Sequence, residues 1–100
     1  MKLVRDKIPE IIELEGKKCS FINIEHTEFP SFLYEKMIEE LDEFIQEPSV
    51  EEAADIMEVF GAILSTYDIS WCDVAQYATK KAYERGKFEK GIILLSVSEK

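Results

Sequence analysis

Residues 30–67 decide the fold, and they read PSFLYEKMIEELDEFIQEPSVEEAADIMEVFGAILSTY. When this stretch is drawn on a helical wheel, its apolar residues gather on one side both before and after Pro48. Pro48 interrupts the helical pattern, and Ser49 followed by Glu52 has the spacing of a capping box, which marks the start of a helix. The stretch therefore predicts two helices joined by a tight turn into an antiparallel hairpin, over about 30–46 and 50–67.

The flanking sequence adds two helices and two candidate strands. Proline in a first turn and a following glycine predict a short helix beginning at Ile8 and ended by Gly16. Serine and glycine at its two ends predict another helix over 70–85. Residues 19–24 and 92–97 are rich in β-forming residues and predict two short, mutually paired strands. We therefore expect a mostly α fold, an antiparallel helical bundle with a small two-stranded β element, in a single domain spanning residues 1–100.

Composition and charge narrow the class of protein. With 46% hydrophobic and 33% charged residues in a chain of 100, the sequence is typical of a folded domain rather than a disordered one. Its 21 acidic and 12 basic residues give a net charge of -9, which disfavours nucleic acid and anionic membranes as partners. The sequence has no apolar run long enough to span a membrane and no signal peptide, and its two cysteines are too few for a disulfide framework. We therefore expect a soluble, cytoplasmic protein, which can bind a phosphorylated small molecule if divalent cations stand between them.

The acidic residues of the hairpin form two pairs. Glu40 and Glu43 are three residues apart on the first helix, and Glu52 and Asp55 are three apart on the second. Glu40 and Asp55 lie equally far from the turn, and so do Glu43 and Glu52. Each carboxylate therefore faces one on the other helix, and the two facing pairs form layers separated by about 4.5 Å. The four carboxylates can therefore converge at the edge of the seam between the helices.

A solvated acidic face is the competing interpretation of this pattern. It suits Glu52 and Asp55, because acidic residues in a first turn interact favourably with the helix dipole. It suits Glu39, Glu40 and Glu43 less well, because they repel one another in the C-terminal half of their helix, where the dipole disfavours negative charge. A bound cation would offset that repulsion, and oxygen ligands without histidine or thiolate suit Mg²⁺ or Mn²⁺.

Three motifs in this sequence resemble those of one enzyme family. The pattern EE-x-x-E at 39–43 followed by E-x-x-D at 52–55 resembles the signature of the MazG-like, all-α nucleotide pyrophosphohydrolases. The stretch KLVRDKIPEII at 2–12 resembles the amino-terminal stretch of a small single-domain, phosphoribosyl-ATP pyrophosphohydrolase-like branch of that family. The stretch KAYERGKFEKG at 81–91 is similar to the carboxy-terminal motif of the same branch.

The resemblance implies a hydrolase that cleaves between the α and β phosphates of a nucleoside triphosphate, releasing a nucleoside monophosphate and pyrophosphate. It implies that Mg²⁺, or Mn²⁺ in its place, is held by Glu40, Glu43, Glu52 and Asp55, with Glu39 in support. A carboxylate not engaged by the metal would accept the proton of the attacking water, and Glu39 and Glu43 are the candidates. Lys81 and Arg85 would grip the β and γ phosphates, although compensation of the helix dipole also explains basic residues at that position.

Several alternatives remain open at the level of sequence. The wide apolar arc of helix 50–67 indicates a homodimer or a dimer of dimers. The basic residues Lys2, Arg5 and Lys7 are either solvated, or paired with Asp6, or supply cations to the acidic site of a partner subunit. The two alternative functions are hydrolysis of phosphoribosyl-ATP on the same scaffold and a non-catalytic acidic helical interaction module.

Overall fold

A computed structural model describes residues 1–99 of the chain. It contains four helices in the order α1 (Ile8–Leu14), α2 (Phe29–Gln46), α3 (Val50–Thr66) and α4 (Trp71–Arg85). The predicted mostly helical fold is confirmed, and each helix boundary falls within one or two residues of its expected position. The agreement reflects strong local signals, because prolines lie in the first turns of α1 and α2, and serine side chains cap α3 and α4.

The predicted two-stranded β element is wrong, because residues 1–99 contain no strand. Residues 20–23 and 91–99 lie exposed and have no regular secondary structure. The apolar side chains of 92–95 are between 75% and 90% exposed, so no packed layer covers them. A pair of short strands needs a third strand or a covering helix to be stable in water, and β-forming composition supplies neither.

Helices α2 and α3 pack against each other as the expected antiparallel hairpin. At the turn, the Ser49 hydroxyl caps α3 by accepting a hydrogen bond of 3.1 Å from the backbone N–H of Glu52. At the opposite end, the hydroxyls of Tyr34 and Tyr67 form a hydrogen bond across the hairpin. Leu33 and Leu64, one from each helix, are the buried apolar residues of the seam. The hairpin is therefore held at both ends, with the acidic residues between them.

The chain divides into two compact units, Met1–Ile69 and Ser70–Lys100. The first contains α1, α2 and α3, and the second contains α4, which is capped by the Ser70 hydroxyl at 3.3 Å from the N–H of Asp73. After α4 the chain turns at Gly86, whose positive φ of 83° favours glycine. None of the helices found in residues 1–99 is both long enough and apolar enough to cross a membrane.

Little apolar surface is buried within this single chain. Across residues 1–99, only Leu33 and Leu64 are buried apolar residues, although 46% of the sequence is hydrophobic. On the hairpin, large apolar side chains remain exposed on both helices, among them Ile38, Leu41, Ile45 and Met57. Ile38, Leu41 and Ile45 share one face of α2 by their spacing, so the hairpin has an uncovered apolar face.

Candidate metal site

Three carboxylates converge in the half of the hairpin nearest the turn. Glu40 of α2 and Glu52 and Asp55 of α3 each offer one oxygen, and these three oxygens all lie within 4.8 Å of one another. We call this set the acidic cluster. Glu40 and Asp55 lie equally far from the turn, as expected from the sequence, whereas Glu43, the expected counterpart of Glu52, is not one of the three. Like charges held this close repel one another unless a cation or a proton compensates.

Glu40 is the buried member of the acidic cluster, with only 6% of its surface exposed. Lys36, one helical turn earlier, places its ammonium 3.3 Å from Glu40 Oε1. Glu40 Oε2 is buried and has no hydrogen-bond partner anywhere in residues 1–99. Burial raises the pKa of the Glu40 carboxyl, the Lys36 hydrogen bond opposes that change, and the charges of Glu43 and Asp55 reinforce it. One oxygen of Glu40 is thus fixed by lysine, while the other is free to bind a ligand.

Glu52 presents a second buried oxygen to the same place. Its Oε2 also lacks a hydrogen-bond partner within the part of the chain that the structure describes. Desolvation raises the pKa of the Glu52 carboxyl, and the nearby charges of Glu43, Asp55 and Glu40 raise it further. Buried polar atoms in native proteins are almost always satisfied, so an unpartnered oxygen on each of Glu40 and Glu52 is consistent with a bound cation at the acidic cluster.

Asp55 is more exposed than Glu40, and the amino-terminal arm reaches it. We use "arm" for residues 1–7, which precede α1. Arg5 Nη2 donates to Asp55 Oδ1 at 2.8 Å, and the Lys2 ammonium lies 3.6 Å from Glu39 Oε1. The basic residues Lys2 and Arg5 therefore pair with acidic residues of their own chain, rather than standing alone in solvent or pairing with Asp6.

The other predicted acidic residues lie beside the acidic cluster. Glu43 is exposed and is not one of the three carboxylates that come together among the described residues, but its charge raises the pKa of both Glu40 and Glu52. Glu39 is held between two ammonium groups, with Lys36 at 3.4 Å and Lys2 at 3.6 Å from its Oε1. The ligand role of Glu43 and the supporting role of Glu39 stay predictions.

The predicted phosphate-binding residues Lys81 and Arg85 belong to the second unit. Both are exposed on α4, and Arg85 is the last residue of that helix. Their proposed role stays a prediction.

Sequence reasoning gave too little weight to two basic residues at the acidic cluster. The pairing of Lys36 with Glu40 was readable from the sequence, because residues four apart on a helix are neighbours. Arg5 and Asp55 are 50 residues apart in the sequence, and the only indication of their pairing is a run of basic residues in an acidic chain.

The donor set suits a hard divalent cation. All three groups of the acidic cluster are carboxylates, and neither histidine nor cysteine belongs to it. Mg²⁺ and Mn²⁺ prefer oxygen ligands, and Mg²⁺ is commonly bound by a few carboxylates with water or phosphate oxygens completing its coordination. Two of the three carboxylates have a buried oxygen without a partner, so the residues present fit such a cation.

Comparisons with models of protein families, with curated proteins and with solved structures give no match to this chain.

Proposed function

We propose that this chain is a Mg²⁺-dependent nucleotide pyrophosphohydrolase of the MazG-like, all-α type. Its reaction would be hydrolysis of a nucleoside triphosphate between the α and β phosphates, giving a nucleoside monophosphate and pyrophosphate. The observation that supports the proposal most is the acidic cluster, in which Glu40 and Glu52 each carry a buried oxygen without a partner in residues 1–99. The motifs at 2–12, 39–55 and 81–91 supply the reaction type by resemblance.

The acidic cluster would hold the cation, with Glu40, Glu52 and Asp55 as ligands and Glu43 as a fourth. When bound, Mg²⁺ neutralises phosphate charge and lowers the pKa of a coordinated water toward neutrality. Lys36 would keep Glu40 in place, because its ammonium already occupies Glu40 Oε1 and leaves Oε2 for the cation.

Glu43 is the better of the two candidates for the general base. In the reaction, the water oxygen forms a bond to phosphorus, the bond to the leaving phosphate oxygen breaks, and the water proton passes to a carboxylate. Glu39 Oε1 is already in contact with the ammonium groups of both Lys2 and Lys36, which leaves this carboxylate less accessible to a water molecule. Glu43 is exposed and lies near enough to Glu40 and Glu52 for its charge to raise the pKa of both. Lys81 and Arg85 would bind the β and γ phosphates.

Pyrophosphate release is the direct test. The purified chain is incubated with canonical, deoxy and modified nucleoside triphosphates in Mg²⁺, and pyrophosphate and orthophosphate are measured separately. Glu40→Gln and Asp55→Asn should each lower kcat/KM by more than the roughly 10- to 100-fold typical of residues that only orient a metal ligand. Asp42→Asn is the matched control, because Asp42 is an exposed acid of α2 two residues from Glu40 and does not share its face.

The outcomes separate the alternatives. Release of orthophosphate alone would contradict cleavage between the α and β phosphates. Activity confined to phosphoribosyl-ATP would favour the second enzymatic function. The absence of any product, with Glu40→Gln only more stable than the parent, would favour a non-catalytic acidic interaction module.

We also propose that the chain works as a homodimer or a dimer of dimers. Support comes from the uncovered apolar face of the hairpin, where Ile38 is 63% exposed and Met57 is 57% exposed. A second copy that covers this face would bury apolar surface that one chain leaves in water. Sedimentation analysis should find a dimer or larger species, Met57→Glu should dissociate it, and the control Met57→Leu should not. A parent chain that sediments as a monomer at micromolar concentration would contradict this assembly.

A further inference from the structure

The acidic cluster has a buried end and an exposed end. The side chain of Glu40 is only 7% exposed, and that of Lys36, which holds it, is 17% exposed. At the other end, the side chain of Asp55 is 33% exposed and that of its partner Arg5 is 57% exposed. Of Glu40 and Asp55, it is therefore Asp55, the carboxylate that Arg5 contacts, that lies closer to solvent.

Arg5 has donors to spare at that end. Its guanidinium carries five N–H groups, and Nη2 is the atom that donates to Asp55 Oδ1 at 2.8 Å. More than half of the side chain is open to solvent, so the remaining donors can meet an anion without breaking this bond. Guanidinium groups bind phosphate oxygens in a bidentate manner, which a lysine ammonium cannot do.

The negative charge of the molecule favours a cationic residue at the point where a polyphosphate would bind. A polyphosphate approaching a chain of net charge -9 is repelled except where cations are concentrated. Lys2 also lies on the arm, but it pairs with Glu39, which is outside the acidic cluster. Lys36 is enclosed between Glu39 and Glu40. Of these three basic residues, Arg5 is the one that combines contact with a cluster carboxylate and wide exposure.

We propose that Arg5 is a phosphate-binding residue, which holds Asp55 with one donor and receives a phosphate group of the substrate with the others. This assignment rests on the proposed function, and it makes the amino-terminal arm part of the substrate site. The ligand class is a polyphosphate bound together with a divalent cation.

Two binding measurements test the role of Arg5 without any turnover. The first is titration of inorganic pyrophosphate at saturating Mg²⁺, and the second is titration of Mn²⁺ alone, both by calorimetry. The variants are Arg5→Gln, Arg5→Lys and the control Lys7→Gln, which removes the same charge from an exposed position on the same arm. Thermal unfolding of each variant verifies that it is folded.

Arg5→Gln should weaken pyrophosphate binding by roughly 10- to 100-fold, the usual effect of losing hydrogen bonds to a charged group. Arg5→Lys should recover part of this loss, and Lys7→Gln should bind pyrophosphate within about threefold of the parent, because solvent and salt screen a charge that makes no contact. The Mn²⁺ affinity of Arg5→Gln should not fall, since removing a positive charge beside the cluster does not weaken its attraction for a cation.

Other results would overturn the assignment. Pyrophosphate binding by Arg5→Gln that equals that of Lys7→Gln would mean that Arg5 is only a counter-charge to Asp55. A parallel loss of Mn²⁺ affinity would mean that Arg5 acts through Asp55 rather than on phosphate. A parent chain that takes up no Mn²⁺ would overturn the proposed function as well, whereas normal Mn²⁺ uptake with unchanged pyrophosphate binding in Arg5→Gln would overturn the role of Arg5 alone.

Discussion

Replacing Glu40 by glutamine should stabilise the cation-free protein and remove its response to Mg²⁺. Glutamine has nearly the shape of glutamate and can still accept the hydrogen bond from Lys36, so the change removes a charge and little else. We expect the substitution to stabilise the protein because the pKa of Glu40 is raised. A raised pKa means that folding places this carboxylate where its ionised form is disfavoured.

Attraction to Lys36 and repulsion from the neighbouring carboxylates act on Glu40 in opposite directions. At an effective dielectric constant of about 20, attraction to Lys36 at 3.3 Å is worth about 5 kcal/mol. Repulsion from Glu52, with oxygens within 4.8 Å, opposes this attraction, and the charge of Glu43 adds to the repulsion. Repulsion from Asp55 is largely offset by its bond to Arg5. Because Glu40 is only 6% exposed, desolvation of its charge adds to the repulsion and disfavours the ionised form. We therefore expect Glu40→Gln to raise the free energy of unfolding by about 1–2 kcal/mol.

The assay is thermal unfolding followed by circular dichroism, first in a chelator and then in Mg²⁺. A gain of 1 kcal/mol in a domain of this size raises the midpoint by roughly 4–8 °C. Mg²⁺ at about 100 times its dissociation constant should stabilise the parent by about 2.7 kcal/mol, and Glu40→Gln by much less. The order of the two midpoints should therefore reverse when Mg²⁺ is added.

The control for this experiment is Asp42→Asn, which makes the same charge change on the same helix outside the acidic cluster. As an exposed substitution, it should change stability by less than about 0.5 kcal/mol and keep the full Mg²⁺ response. The reasoning is refuted if Glu40→Gln melts below the parent in chelator and Mg²⁺ shifts neither protein.

Two further predictions concern pH and the turn of the hairpin. Because the pKa values of Glu40 and Glu52 are raised, the folded state binds more protons than the unfolded state above the ordinary carboxyl range. The free energy of unfolding measured in chelator should therefore increase as the pH falls through these raised pKa values. The increase should end near the ordinary carboxyl range of roughly pH 4–5. A stability that only decreases from pH 7 to 5 would contradict the two pKa shifts. Ser49→Ala should lower the free energy of unfolding in urea by about 1 kcal/mol, because the N–H of Glu52 loses its hydrogen bond to the Ser49 hydroxyl. Ser49→Asp, which keeps a capping oxygen, should lose much less, and equal losses in both variants would exclude the cap as the cause.

The helices could be predicted from the sequence because their signals are local. Ser49 and Ser70 cap the two helices that follow them, and proline and glycine mark other ends. The two strands were wrongly predicted, because a strand exists only when a partner supplies its hydrogen bonds. Residues 92–97 have the composition of a buried strand, yet they are exposed and unpaired within residues 1–99.

The acidic cluster was partly predictable for a geometric reason. Counting residues from the turn gives the position of each side chain along the hairpin, and it correctly brings Glu40 and Asp55, with Glu52 one layer away, to the same region of the seam. This position does not give direction, and three residues along a helix rotate a side chain by about 60°. That rotation separates exposed Glu43 from buried Glu40. The bond between Arg5 and Asp55 depends on the path of the arm, which no local pattern fixes.

The hydrogen bond between Tyr34 and Tyr67 gives the hairpin an optical signature. Bonding to Tyr67 raises the pKa of the Tyr34 phenol, so Tyr34 ionises only at higher alkalinity while the two helix ends stay together. The ultraviolet absorbance of tyrosinate therefore reports whether Tyr34 and Tyr67 are still hydrogen-bonded at the end of the hairpin opposite the turn. This reporter is intrinsic to the chain and requires no dye or label.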